Sequence, residues 1–211
     1  MMQNDRFIVL GITGGIGSGK SKVLEFLSVK NGCYILEADK MAHLLMSYGT
    51  DTYIDIVNEF GRDILNEDMS INRKKLGDIC FNKPAALQTL NDIVHPAVKK
   101  KILSMIRDAS KKELLNKRGE TINLFCIEAA LLIESGYKTI CDYICYIYSK
   151  LDVRLERLEK FRGIDKEKSL SVIKNQKPDE YFRKNSNFVI DNSLGFDNTI
   201  YQIEEMLQKI L

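Results

Sequence analysis

Residues Gly14-Gly15-Ile16-Gly17-Ser18-Gly19-Lys20-Ser21 match the pattern G-x-x-x-x-G-K-[S/T] in full. Few octapeptides restrict a fold so strongly. The glycines let the backbone curl until successive N–H groups face one point, which makes a cradle for phosphate oxygens. The helix that must follow adds the positive end of its dipole. Lys20 supplies a mobile cation for β- and γ-phosphates, and the Ser21 hydroxyl suits Mg2+. Both flanks agree: Phe7-Ile8-Val9-Leu10-Gly11-Ile12 is the short continuous apolar run of a buried strand, and Ser21 to Val29 carries Val23, Leu24 and Leu27 at helical spacing.

Further strands are expected at Cys33 to Leu36, Ile122 to Ile127, Tyr143 to Tyr148 and Phe188 to Ile190. Helices are expected over Lys40–Tyr48, Tyr53–Phe60, Arg73–Phe81, Asp152–Arg162, Lys166–Gln176 and Asn198–Leu211. Pro84 starts a helical turn, Pro96 punctuates the chain after His95, and a long amphipathic helix runs from there to about Leu115. Strands alternating with helices require crossover connections, hence an α/β fold with a parallel sheet covered on both faces. At 211 residues, 45% hydrophobic and 28% charged, the chain has the makeup of a single globular domain.

The net charge of +2 argues against a dedicated nucleic-acid binder. No run approaches the roughly 18 apolar residues of a membrane span, and Met1 to Arg6 turns into a strand too early for a signal peptide. Cys33, Cys80, Cys126, Cys141 and Cys145 are odd in number and scattered, which fits reduced thiols in the cytoplasm rather than a disulfide frame or a zinc site.

The phosphate loop does not name a reaction. Asn82-Lys83-Pro84-Ala85 and Asn116-Lys117-Arg118-Gly119 both lack the aspartate of a guanine-binding Asn-Lys-x-Asp segment, and no apolar run ends in paired acids as in motor ATPases. A small kinase is favoured. Glu37-Ala38-Asp39 follows a strand at the sheet's carboxyl edge, where ligands bind in open α/β folds. Asp39 there suits either a base for an attacking hydroxyl or a helix N-cap. Arg154, Arg157 and Arg162 form either a phosphate-neutralising lid or a face paired with Asp152, Glu156 and Glu159.

Taken in order, the phosphate loop, Glu37-Ala38-Asp39, His95-Pro96, Leu131-Leu132-Ile133-Glu134, the arginine helix and Val189-Ile190-Asp191-Asn192 resemble the dephospho-CoA kinase family. The resemblance runs from about Phe7 to Leu207. It implies a P-loop kinase fold with an acceptor-binding helical insertion over about 40–115 and a lid over about 151–176. It implies transfer of the ATP γ-phosphate to the ribose 3′-hydroxyl of dephospho-CoA with Mg2+. By this resemblance Asp39, Lys20, Arg157 and Arg162 are catalytic, and Gly15, Ile16, Gly17, Ser18, Gly19, Lys20, Ser21 and Lys22 hold ATP. Ser21 is the metal ligand, and Asp39, Arg73, His95, Leu132 and Glu134 line the acceptor side. Glu37, His43, Lys22, Ala130 and Met69 depart from the family pattern, the last at a turn glycine. None of these removes a central chemical group.

Lesser features have plainer readings. Lys99-Lys100-Lys101 and Lys111-Lys112 are interrupted by acids and lack interleaved aromatics, so a solvated helix face outweighs RNA. Glu128, at a strand end, suits a structural role or a water-mediated approach to Mg2+. The partners expected are ATP and dephospho-CoA, with no nucleic acid or membrane, and the protein a monomer or weak homo-oligomer. Rival readings are another small-molecule kinase, an ATP-sensing module and an RNA-binding regulator.

Overall fold

In the computed structural model, which describes residues 6–211, the apolar run becomes strand β1 (Ile8–Thr13), buried at every position. It lies at the centre of a five-stranded sheet of order β2-β3-β1-β4-β5, with β2 at Cys33–Glu37, β3 at Leu124–Glu128, β4 at Tyr143–Tyr148 and β5 at Phe188–Asp191. β1 pairs in parallel with β3 and β4, and β4 with β5. The register sets Ile12 beside Glu128 and Tyr148 beside Asp191. The carboxyl ends of three strands therefore converge where β1 gives way to the glycine loop.

Helix α1 (Lys20–Ser28) follows the loop and buries Val23, Leu24 and Leu27. Together with α9 (Phe196–Ile210), which buries Ile203, Met206 and Ile210, it packs against Ile8, Leu10, Ile12, Ile147 and Ile190. Short amphipathic helices of this kind are held by their apolar stripes rather than by propensity. Cys33, Cys126 and Cys145 are small apolar parts of this core, and burial pushes the Cys145 thiol up to about 12.

The chain divides into two compact units, 37–105 and the remainder. The first holds α2 (Ala38–Leu45), α3 (Asp51–Phe60), α4 (Arg73–Asn82) and most of α5 (Pro84–Ser110). The second holds the sheet, α1, α9, and the helices α6 (Leu151–Arg162), α7 (Lys166–Lys174) and α8 (Asp179–Lys184). Among the described residues no helix is long and apolar enough to cross a membrane. The segment 1–5, read above for a targeting signal, lies outside the described residues.

Three expectations need correction. Pro96 does not divide the chain: α5 runs through it for 27 residues. Pro96 and Asp92 are both exposed, so the Asp92 carbonyl that loses its N–H partner can bond water, while Val94, Val98 and Ile102 bury the opposite face. Helix α8 was not foreseen because its six residues are mostly charged. It is fixed instead by Phe182, which stacks on Tyr146 with centroids 5.0 Å apart. Asp39 is not an N-cap either. Glu37 holds that position, without a side-chain cap bond.

Around the start of β2 the Glu120 carboxylate accepts from Asn116 Nδ2 at 2.7 Å, Gly32 N at 3.0 Å and Arg118 Nη2 at 2.8 Å. The Asn116 amide foremost, then the Gly32 amide and Arg118, lower its pKa to about 2 from 4.5. A carboxyl lowered by folding stabilises above its unfolded pKa and loses that contribution as pH falls. The melting-temperature gap between wild type and Glu120→Gln should therefore be full at pH 7 and shrink between pH 4.5 and about 2. An equal gap at pH 7 and pH 3 would contradict the assignment.

Candidate active site

Leaving Thr13, the backbone turns through the glycines and enters α1 at Gly19, whose φ of 86° is left-handed and favours glycine. A Cβ on Gly19 would also collide with Asn192 Nδ2, and one on Gly15 would lie 2.5 Å from Arg154 Nη2. These two positions need glycine for different reasons: Gly19 for its dihedral, Gly15 for the close approach of a guanidinium.

The loop is held from outside by its carbonyl oxygens. Ser18 O accepts from Asn192 Nδ2 at 2.8 Å, Ser149 Oγ at 3.1 Å and Arg157 Nη1 at 3.3 Å. Ile16 O accepts from Arg154 Nε at 2.8 Å, and Gly14 O from Lys20 Nζ at 2.6 Å. A trans peptide sets its C=O and N–H antiparallel. Pinning the Ser18 and Ile16 carbonyls therefore aims the N–H groups of Gly19 and Gly17 the opposite way, away from those side chains. Amides turned together in this manner form an anion-binding concavity.

Lys20 also lies 3.9 Å from the Glu128 carboxylate, both side chains largely buried. Ser21 is exposed in the first turn of α1. Lys22 points elsewhere, its Nζ 4.1 Å from the centroid of the Phe196 ring, so its part in the loop is confined to the backbone.

The arginine helix contributes differently from expectation. Arg157 reaches the loop but spends its donors on Ser18 O, on Ser149 Oγ at 3.0 Å and on Asn192 O at 2.8 Å. Arg162 is exposed at the C-terminus of α6, where Gly163 closes the helix in a left-handed conformation. Arg154, read above with Arg157 and Arg162 as a lid or a salt-bridged face but not among the catalytic residues the resemblance implies, sits closest to the start of the loop. Burial lowers the pKa of Arg154, opposed by Tyr146, Asp179 and Tyr148, and burial also lowers that of Arg157, opposed by Glu156.

Ser149, Gln176 and Asn192 were likewise not singled out as loop partners. The signal for Asn192 was available, since Asp191-Asn192 ends the strand two places from β1. Thr199 Oγ1 orients it, donating to Oδ1 at 2.8 Å. Of the residues in this unit that the resemblance puts on the acceptor side, Leu132 is fully buried, and a Cβ on Gly11 would lie 3.1 Å from it, while Glu134 is exposed.

The other unit carries Asp39, Arg73, His95 and His43. Asp39 is exposed in the first turn of α2, directly after β2. Glu37 beside it accepts from Lys40 Nζ at 2.7 Å. Arg73 opens α4 and is exposed, and so are His95 on α5 and His43 on α2. Met69 has φ 66°, so the turn keeps the left-handed geometry of a glycine position with a side chain in it.

The family model for dephospho-CoA kinase matches residues 8–198. The chain is 35% identical over 201 residues to a dephospho-CoA kinase of Lactobacillus johnsonii, covering 95% of this chain and 97% of that one. It is 34% identical over 201 residues to one of Aquifex aeolicus, covering 95% and 96%. Among solved structures, dephospho-CoA kinase from Campylobacter jejuni aligns with TM-score 0.68 and 25% identity over 96% of each chain. A shikimate kinase from Acinetobacter baumannii aligns with TM-score 0.54 and 14% identity over 98% of this chain and 97% of that one, which shows a shared fold.

Gly19→Ala should cost roughly 1–2 kcal/mol in backbone strain alone, lowering the melting temperature by roughly 2–8 °C, and should also abolish ATP binding by calorimetry. Gly163→Ala shares the left-handed strain with nothing within 4 Å of the added Cβ. It should show the thermal loss with ATP affinity retained. Equal affinities in the two variants would contradict the loop assignment.

Proposed function

The chain belongs to the dephospho-CoA kinase family, and from that premise we propose how its residues carry out the phosphoryl transfer. It is a kinase that transfers phosphate from ATP to the 3′-hydroxyl of dephospho-CoA, forming coenzyme A. The observation that carries the residue assignment is the loop at the end of the central strand, whose Ile16 and Ser18 carbonyls are engaged by side chains from outside it, which turns the Gly17 and Gly19 amides the opposite way.

In this reading residues 15–22 surround the ATP phosphates, with the Gly17 and Gly19 amides turned toward them, and Lys20 exchanges its bond to Gly14 O for phosphate oxygens. The carboxylate of Glu128, 3.9 Å away, attracts the lysine and holds it beside the loop. Ser21 and Glu128 are hard oxygen donors beside the loop, the chemistry Mg2+ prefers. Among the described residues no group of three or more His, Cys, Asp or Glu is set to hold a metal, which fits an ion that takes its other ligands from phosphate and water. When bound, Mg2+ would neutralise charge on the β- and γ-phosphates.

Asp39 takes the proton from the attacking 3′-hydroxyl and orients its oxygen. Positioning is the larger part of this role, because phosphoryl transfer depends mainly on positioning and charge neutralisation. Residues of about 40–115 form the acceptor-binding part, with Arg73 and His95 as donors to the acceptor's anionic groups. Residues 151–176 form the lid: Arg157 braces the loop, and Arg162 at the exposed end of α6 remains available for the moving phosphoryl group. Glu134 lines the acceptor side, and Leu132 supports it from the core. The reaction belongs to the cytoplasm, where its substrates and reduced cysteines are at home.

Asp39→Asn should lower kcat by about 10²–10⁴ while the dissociation constant for ATP stays near wild type. Lys20→Met should raise that constant and remove turnover. Normal turnover in Asp39→Asn would overturn its role as base.

A further inference from the structure

Ile16 stands at the tip of the phosphate loop, and both of its backbone polar groups are held by side chains from distant parts of the chain. Its N–H donates to Gln176 Oε1 at 3.1 Å, and its carbonyl accepts from Arg154 Nε at 2.8 Å. The two side chains are themselves joined, Arg154 Nη2 donating to Gln176 Oε1 at 2.8 Å. Three hydrogen bonds thus close a ring around one residue. Gln176 lies just after α7 and Arg154 one turn into α6, so the ring ties both helices to the loop.

We propose that Arg154 and Gln176 are positioning residues for ATP, setting the orientation of the two peptide planes that flank Ile16. The physical reason is peptide planarity. Holding the Ile16 carbonyl outward fixes the Gly17 N–H in the opposite sense. Holding the Ile16 N–H outward fixes the Gly15 carbonyl in turn, and that carbonyl accepts from Ser18 N at 3.2 Å. Without the ring, the Ile16–Gly17 peptide can rotate and present its carbonyl to the phosphate, and the Gly15 carbonyl can leave the Ser18 amide, since glycine opposes such rotation least. The fit is tight. A Cβ on Gly15 would lie 2.5 Å from Arg154 Nη2 and 2.9 Å from Gln176 Oε1, and one on Gly17 would lie 2.9 Å from Arg154 O.

The arrangement also distinguishes the arginines of α6. Arg157 and Asn192 hold the Ser18 carbonyl at the helix end of the loop, and Arg154 with Gln176 holds the tip. Binding energy for ATP then depends on where α6 and α7 lie, because movement of either helix opens the ring.

This inference rests on the loop being the ATP site, so the test measures ATP binding directly in the full chain. Calorimetry with ATP–Mg2+ would be run on wild type, Arg154→Ala, Gln176→Leu, Gln176→Asn, Gln176→Glu and the Arg154→Ala/Gln176→Leu double variant, with kcat and both KM values. Gln176→Leu removes the acceptor, and Gln176→Asn withdraws it while staying polar should the leucine fail to fold. Each should raise the ATP dissociation constant and KM by about tenfold, as should Arg154→Ala. KM for dephospho-CoA should stay within roughly twofold in all of them, because additivity holds for sites that share no partner. Gln176→Glu keeps an oxygen for both donors and should remain within about threefold of wild type. The double variant should be no worse than the poorer single, since all three bonds serve one residue.

Unchanged ATP affinity in a folded Gln176→Asn variant would overturn the proposal, as would equal damage from glutamate and leucine. Absence of ATP binding by folded wild type would overturn the nucleotide reading itself, and the proposal with it.

Discussion

Everything functional in this molecule depends on the orientation of a few peptide planes between Thr13 and Lys20. They are set by side chains that take hold of carbonyl oxygens: Lys20 on Gly14, Arg154 on Ile16, and Asn192, Ser149 and Arg157 on Ser18. Each such bond turns the next amide in the opposite direction. The phosphate site is a consequence of how the backbone is gripped from behind.

The sheet makes the grip possible. Placing β1 at the centre brings the carboxyl ends of β3, β4 and β5 around the loop, and each end delivers a partner. Glu128 closes β3 and faces Lys20. Ser149 follows β4, and Asn192 follows β5. Ser149 Oγ lies 2.9 Å from Asn192 O and 3.1 Å from Ser18 O and shares its one proton between them, so the ends of β4 and β5 meet at the loop. The burial of these groups makes each bond matter. A buried Asn192 deprived of its partners would leave polar atoms without water to replace them.

Much of this architecture was legible in the sequence, and the reasons it was legible are specific. Continuous apolar runs mark β1 and β4 because both faces of a parallel sheet are covered, and the glycines with Lys20-Ser21 mark the loop because no other residues permit its shape. The loop's supports were harder to read. Arg154, Arg157 and Arg162 look alike in sequence, yet only the first two reach the loop, because they stand at i and i+3 on one helix face. Gln176 has no neighbouring pattern at all, since its role arises from a fold-back after α7. Pro96 misled for the opposite reason: a strong local signal was overridden by the buried stripe of Val94, Val98 and Ile102. The assignments of Asp39, Arg73 and His95 rest on family resemblance, with exposure and position in the helices consistent with access to a ligand.

The central claim is that ATP held by this loop is consumed only when an acceptor hydroxyl is presented. The most direct measurement is ADP release from ATP–Mg2+ with and without dephospho-CoA, together with the mass and phosphate position of the product. The account predicts release that depends on dephospho-CoA, matched by one added phosphate at the ribose 3′-hydroxyl. ATP binding with no acceptor-dependent release, or phosphate added elsewhere on the acceptor, would contradict it.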